Sequence, residues 1–445
     1  MKGLTEIFIY TLSLQNTIST YNKRIMILLT QISTNLINKD EHGIHKDYYD
    51  KIWANRRQEG FVKPEDFWEI PNWIAIIKHN IEDAELAIVR DIDKFLNDIP
   101  ENTTSIAFSV LDANKAIIKE IIQRYKGKAY FVLGGYIDFT YFSDLKDTSP
   151  VYIFESIPDF INWQQDNIAH KEGFKSIPDF IKWQDEKSYK DGYDYSLFSY
   201  CECIPRLTLS TGCSHKCKFC TEAGNLTEAN MDAIYRQIES YKNLNFKLVY
   251  LNDKTFGQAK NHIELPDLYQ RIKKINPDFE GFMIQTTTGQ WLKFSDEYIN
   301  DSHIIFVELG IETFNDHILK AYRKPSTEKS TEEATERFRH LPNVWLRPNI
   351  IIGFAEETYE SYQHTLDYLN KYKDVIVHLG ICNLAIYDDT TLGEERPAES
   401  AEDKNEYSVT KSFHEDEAPH EWFFKEIFKL GLKLLDKHPE NGKLH

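Results

Sequence analysis

Apolar residues in this chain fall into two patterns that take turns: short continuous runs, and longer stretches where they recur every three or four positions. The first pattern reads as a buried strand and the second as an amphipathic helix. Arg24-Ile-Met-Ile-Leu-Leu-Thr30 is a run of the first kind, and Ala84 to Leu96 carries helical spacing. Ser105-Ile-Ala-Phe-Ser-Val110 then reads as a strand, Asn114 to Tyr125 as a helix, and Ala129-Tyr-Phe-Val-Leu133 as a strand ending at Gly134-Gly135. Strands separated by helices predict an open parallel sheet. Ligands of such sheets lie beyond the C-terminal ends of the strands. Gly134 and Gly135 stand at one such end and, lacking a Cβ, permit close approach of a bulky group.

The alternation resumes at Pro205. Strands are predicted at Arg206–Ser210, Lys247–Leu251, Gly281–Thr286, His303–Leu309, Trp345–Ile352 and Val375–Ile381. Helical patterns at 227–242, 264–275, 315–322, 329–339 and 358–372 separate them. This makes six βα units, too few for a closed eight-stranded barrel. Between the two regions, Ser156-Ile-Pro-Asp-Phe-Ile-Asn-Trp-Gln164 recurs as Ser176-Ile-Pro-Asp-Phe-Ile-Lys-Trp-Gln184. Ser, Pro and Asp at the start of each copy suit a helix N-terminus, and Phe160, Trp163, Phe180 and Trp183 read as core. Residues Pro419 to His438 form a last amphipathic pattern, expected to pack on the body of the protein. The organisation expected is an extension over 1–24, a first sheet domain over 25–186, a linker over 187–204, a second α/β domain over 205–395 and a helical tail over 396–445.

Composition narrows the function classes. A formal charge of −18 and a pI near 5.3 argue against a nucleic-acid partner, which needs clustered Lys and Arg. No apolar run reaches the roughly 20 residues that span a bilayer, and Glu6 interrupts the apolar stretch Leu4–Leu14, so neither a membrane span nor a signal peptide is expected. Six cysteines in 445 residues, with no secretory pattern, predict a reducing, cytoplasmic setting.

Three of those cysteines carry the candidate chemistry: Cys213-Ser-His-Lys-Cys217-Lys-Phe-Cys220. Three thiolates on one loop can hold three irons of a [4Fe–4S] cluster, where four are usual, and leave the last iron open. Structural zinc is the competing reading, with His215 as a fourth ligand, although zinc sites usually close at paired cysteine spacings. A disulfide pair is a further alternative. The spacing, with Phe219 before the last cysteine, resembles the signature of the radical S-adenosylmethionine (SAM) enzymes. That resemblance implies a partial barrel of six parallel strands, a [4Fe–4S] cluster, and SAM chelated to the open iron and cleaved reductively to a 5′-deoxyadenosyl radical.

The resemblance extends downstream. It places Asp253, in Leu251-Asn-Asp-Lys-Thr-Phe256, at the turn receiving the methionine end of SAM. The segment Phe306-Val-Glu308-Leu-Gly310-Ile-Glu312, followed by Leu319 and Lys324, is similar to the matching stretch of radical SAM enzymes that carry an N-terminal cobalamin-binding domain. Glu308 and Glu312, four apart in a strand, would face the same side and serve ribose hydroxyls or an ammonium group, with an internal salt bridge as the alternative. Arg347-Pro-Asn349-Ile-Ile351-Ile-Gly353-Phe-Ala-Glu356 is similar to the family's Gly-x-Ile-x-Gly-x-x-Glu pattern, with Asn349 in place of the first glycine. It assigns adenine packing to Ile351 and close approach to Gly353, and Arg347 suits a carboxylate or an ordinary ion pair.

The first region is similar in layout to a Rossmann-like cobalamin-binding domain, with Gly134 and Gly135 toward that cofactor. Asp40-Glu-His42-Gly43-Ile-His45 departs from the cobalt-ligand pattern Asp-x-His-x-x-Gly and reads as coincidence. Cys201, Cys203 and Cys382 remain, fewer than the four thiolates a second cluster normally takes. Cys382 is a candidate hydrogen donor to a substrate radical. The function expected is methyl transfer to an unactivated carbon of a small-molecule or peptide substrate, with an electron donor such as flavodoxin or ferredoxin. A cobalamin-independent enzyme such as a peptide epimerase is the first alternative, and a non-catalytic metal-binding scaffold the second.

Overall fold

A computed structural model describes most of residues 26–36, 70–163, 192–395 and 422–430. The stretch 1–24, Asp40–His45, the second copy of the repeat (Ser176–Gln184), Cys201 and most of the tail lie outside them.

The first sheet contains β1 (Met26–Ile32), β2 (Ala84–Val89), β3 (Thr103–Val110), β4 (Tyr130–Gly135) and β5 (Val151–Ile153), all parallel, in the order β2-β1-β3-β4-β5. Its faces are sealed by different helices. Ile27, Leu29, Ala107 and Val132 pack with Ile74, Ala75 and Ile77 of the helix Asn72–Asn80. Leu28, Ile106, Phe108, Phe131 and Leu133 pack with the helices Ile92–Asp98 and Lys115–Arg124. In this order the strand succession reverses between β1 and β3, the point at which such sheets bind ligands.

The helix expected over Ala84–Leu96 is two elements, β2 and then the helix Ile92–Asp98. Its apolar spacing satisfied both periods. What decides is Asp91, whose side chain accepts the Lys94 N–H at 2.9 Å and starts a helix only there. The residues before it gain a full parallel ladder with β1.

From Arg206 the chain runs through β6 (Arg206–Leu207) and an antiparallel hairpin, β7 (Ser210–Cys213) and β8 (Gly224–Glu228). It continues through β9 (Leu248–Leu251), β10 (Gly281–Thr287), β11 (Ile304–Glu312), β12 (Trp345–Ile352) and β13 (Gly380–Asn383). Among the described residues, β6, β9, β10, β11, β12 and β13 form one parallel sheet in sequence order, the strands of the expected partial barrel. The strand expected over Arg206–Ser210 breaks after Leu207, because Leu209 and Ser210 turn to bind Asp253. The helix expected from 227 starts at Met231, where the Asn230 side chain caps the Asp232 N–H.

Side chains of this sheet alternate between two environments, as strand geometry requires. Val249, Leu251, Phe282, Ile284, Val307, Leu309, Leu346 and Ile350 pack under the surrounding helices. Leu248, Tyr250, Met283, Phe306 and Trp345 form a smaller cluster on the other, inner face. The outer core is continuous with the inner face of the first sheet and with Phe423 and Ile427, so both sheets and the last described helical turn share one apolar interior. Among the described residues no helix is long and apolar enough to cross a membrane.

Candidate active site

Cys213 ends β7, and the turn that follows carries Cys217 and Cys220. The segment after β9 holds this loop through side chains. Asp253 accepts the Leu209 N–H at 2.9 Å and the Ser210 hydroxyl at 2.5 Å. Gln258 accepts the Ser214 N–H at 2.8 Å, and Asn261 donates to the Leu209 carbonyl at 2.8 Å. From the far side, Phe219 packs edge-on against Phe354, with ring centres 6.0 Å apart, and beside Tyr322.

Cys213 and Cys217 are buried and Cys220 is half-buried. Burial pushes the Cys217 thiol up to about 11 while Lys324 pulls it down, and each of the other two cysteines raises it further. Burial raises Cys220 as well, opposed by the Glu222 amide. The surroundings of Cys217 and Cys220, which disfavour bare thiolates, suit a ligand that takes thiolates and returns positive charge. An iron–sulfur cluster has that character, and an all-sulfur donor set fits it. Burial lowers the His215 imidazole pKa, and its backbone N–H donates to the Cys213 sulfur at 3.4 Å.

The expected SAM-binding residues find partners within the protein. Asp253 is buried, its carboxyl raised by desolvation against the two hydrogen bonds, and both its oxygens serve the cysteine loop. Glu308 is bonded to the Arg347 guanidinium and accepts the Tyr250 hydroxyl at 3.3 Å. Tyr250 also lies under Arg206, which reaches Asn252 Oδ1 at 2.5 Å. Two of the expected cofactor contacts, Glu308 and Arg347, thus meet as an ion pair on adjacent strands.

Glu312 follows a register shift in which β11 advances two residues while β12 advances one, and its φ of 68° lies in the left-handed region. The irregularity turns its carboxylate back over Gly310, where it binds the buried Lys324 ammonium. Burial works against the Lys324 charge, but Glu312 and the Cys217 and Cys220 sulfurs outweigh it and hold the pKa above the usual lysine range.

Ile351 packs, as Phe219 of the cysteine loop does, against the apolar cluster that contains Tyr322 and Phe354. Gly353 has a φ of 95°, a conformation that favours glycine. The carboxylate that returns to it is Glu357, one residue beyond the expected Glu356. Glu357 Oε2 accepts the Gly353 N–H at 2.6 Å, the Phe354 N–H at 3.1 Å and the Tyr362 hydroxyl at 2.5 Å. Burial dominates over these bonds and pushes the Glu357 carboxyl from 4.5 up to about 8. The folded protein therefore keeps a proton that the unfolded chain releases, and stability falls as pH rises through that window. Glu357→Gln is expected to flatten the decline, read as urea midpoints at about pH 5 and about pH 8.

In the first sheet, Gly135 has a φ of 141°, and a Cβ there would collide with the backbone of Val110, its partner on β3. Its glycine is accounted for by strand pairing. Gly134 sits opposite Ser109, with ordinary space for a Cβ. Cys382 stands opposite Ile351 in the β12–β13 register. Within the first copy of the repeat, Phe160 is core and Trp163 packs on Tyr152 and Phe154. The residues that sequence reasoning missed are Thr255, Gln258, Asn261, Tyr250 and Glu357. The one signal was the density of polar residues directly after an apolar strand, from Asn252 to Asn261.

Two parallel sheets, with a three-cysteine loop beside the second, give an α/β fold with a candidate cluster site at Cys213, Cys217 and Cys220. Residues 207–369 match the model of the radical SAM superfamily. These residues carry a radical SAM domain, and enzymes of that superfamily use a [4Fe–4S] cluster and SAM. The chain is 23% identical over 313 residues to the ribosomal protein uS12 methylthiotransferase RimO of Campylobacter fetus subsp. fetus (strain 82-40), a match covering 66% of this chain and 69% of that protein. To the threonylcarbamoyladenosine tRNA methylthiotransferase of Caenorhabditis elegans it is 22% identical over 184 residues, covering 39% of this chain and 43% of the other. In fold it is similar to the radical SAM methyltransferase TsrM from Kitasatospora setae, solved with cobalamin and a [4Fe–4S] cluster bound. That likeness has a TM-score of 0.53 at 12% identity and covers 83% of this chain and 77% of TsrM.

Proposed function

We propose that this protein is a cobalamin-dependent methyltransferase acting on an unactivated carbon of a small molecule or peptide, with Cys213, Cys217 and Cys220 as its cluster ligands. The observation that carries the reading is the open sheet of order β2-β1-β3-β4-β5, packed through a shared core onto the sheet that bears the cysteine loop. The likeness to TsrM covers 83% of this chain, more than the second sheet alone. When bound, the cluster and SAM supply a 5′-deoxyadenosyl radical that abstracts hydrogen from carbon, and cobalamin carries the methyl group.

The chain's own residues have separate tasks in this reading. The loop after β9 holds the cysteines in place, and Ile351 and Gly353 shape the adenosine side beside Phe219. The Glu308–Arg347 and Glu312–Lys324 pairs keep the inner polar groups oriented and close to neutral. At the first sheet, the β1–β3 switch point offers the crevice for the corrin, with the exposed Leu111 side chain just beyond β3. A one-electron donor of the flavodoxin or ferredoxin kind would reduce the cluster.

Cobalamin retention tests the reading. After anaerobic cluster reconstitution, addition of cobalamin and desalting, cobalt and corrin absorbance are expected near one per chain. Cleavage of SAM without retained cobalamin would overturn it in favour of cobalamin-independent hydrogen abstraction. The methylthiotransferase relatives favour a second reading, methylthio transfer. Product mass separates the two, since the second adds a sulfur atom with the methyl group.

A further inference from the structure

The three cysteines are not equivalent in their surroundings. Cys213 lies with its sulfur 3.4 Å from the Thr255 hydroxyl, and both residues are buried. The same sulfur receives the His215 N–H at 3.4 Å. Cys220 is met by the Glu222 amide, and Cys217 is influenced by the Lys324 charge. Among the described residues, Cys213 is the cysteine of the loop that faces a side-chain hydroxyl.

Thr255 is firmly placed. It stands two residues after Asp253 and three before Gln258, both of which grip the cysteine loop. Its neighbour Phe256 donates its N–H to the Gln285 carbonyl on β10 at 2.8 Å. The hydroxyl is thus held toward Cys213 by backbone on either side.

We propose that Thr255 is a positioning residue that raises the reduction potential of the cluster by donating a hydrogen bond to the Cys213 sulfur. The inference rests on the assignment of Cys213, Cys217 and Cys220 as ligands. A sulfur bound to iron carries no proton, so the hydroxyl is the donor and the sulfur the acceptor. Adding an electron to the cluster increases the negative charge on its sulfurs. A fixed O–H dipole aimed at one of them therefore favours the reduced form, and hydrogen bonds to the sulfurs are one of the levers on cluster potential. Burial removes the water that would screen this dipole. The electron is supplied from outside, by the donor that reduces the cluster for every turnover.

The test is an anaerobic redox titration of the reconstituted full-length protein without SAM, followed by electron paramagnetic resonance. Thr255→Val keeps the shape and removes the hydroxyl; its potential is expected to move to a more negative value, with four irons per chain retained. Thr255→Ser keeps the hydroxyl and is expected to titrate close to the wild type. Thr255→Ala supplies a second hydroxyl-free protein if the valine variant does not assemble its cluster. An unchanged potential in the hydroxyl-free variants would overturn the proposal, as would an equal shift in the serine variant, which would point to packing. A wild-type protein that takes up no four-iron cluster would overturn the ligand assignment itself, an outcome separable from the others by iron content alone.

Discussion

Replacing Cys213, Cys217 or Cys220 singly with serine is expected to reduce 5′-deoxyadenosine formation to the background of cluster-free protein. Iron in these clusters is held by thiolates, and a serine hydroxyl, which gives up its proton far less readily than a thiol, is a poor replacement. With three protein ligands there is none to spare, so each variant should fail alike and no graded series is expected. The loop itself should survive, because Asp253, Gln258 and Asn261 hold it through backbone groups at Leu209 and Ser214 and through the Ser210 hydroxyl, bonds that do not involve the thiols. Thermal unfolding of the apo variants near the wild-type midpoint, together with lost iron and lost SAM cleavage, is the expected combination. Retained cleavage in any one variant would remove that cysteine from the ligand set.

Lys324→Met is expected to destabilise the apo protein by about 3–5 kcal/mol, the cost of leaving one member of a buried ion pair without its partner. The Lys324 and Glu312 side chains are only 7% and 10% exposed. Removing the ammonium strands the Glu312 carboxylate in a site closed off by Gly310 and the cysteine loop. The double variant Lys324→Met/Glu312→Gln is expected to recover most of the loss, since the neutral amide has far less to lose by burial. Urea unfolding of the two single variants and the double variant measures the coupling. Additive losses would mean that the pair does not hold this part of the site together. Because the Lys324 pKa is raised, its contribution persists through neutral pH and is lost only above the usual lysine range. The same variant should also load its cluster less completely, because Lys324 is the cation that eases the ionisation of Cys217 and Cys220.

The alternation of strand and helix was legible because it is a local property. Period two or a continuous apolar run, interrupted by polar stretches with a three-to-four-residue repeat, identifies both sheets without knowledge of their pairing. Where the two periods overlap, as at Ala84–Leu96, local pattern does not decide; the ladder with β1 and the cap at Asp91 do. The hairpin β7–β8 was hidden for a related reason. Its residues are mostly polar, so no apolar run marks its strands, and its pairing joins residues on either side of the cysteine loop, from Ser210 with Glu228 to Cys213 with Gly224.

What the sequence by itself determined was the three-cysteine spacing, the six strands of the second sheet and the parallel character of the first. Each of these is written in neighbouring residues. Only the tertiary structure decided which side chain meets which. Thr255 reaches Cys213 across 42 positions, Asp253 reaches Leu209 across 44, and Arg347 reaches Glu308 across 39. The irregularity between Gly310 and Glu312 sends a carboxylate to Lys324, and Glu357, the residue after the Glu356 of the matched pattern, is the carboxylate bonded at Gly353. A buried polar group must find its partner wherever the fold brings one within reach, and nothing in the spacing of residues along the chain records which that is.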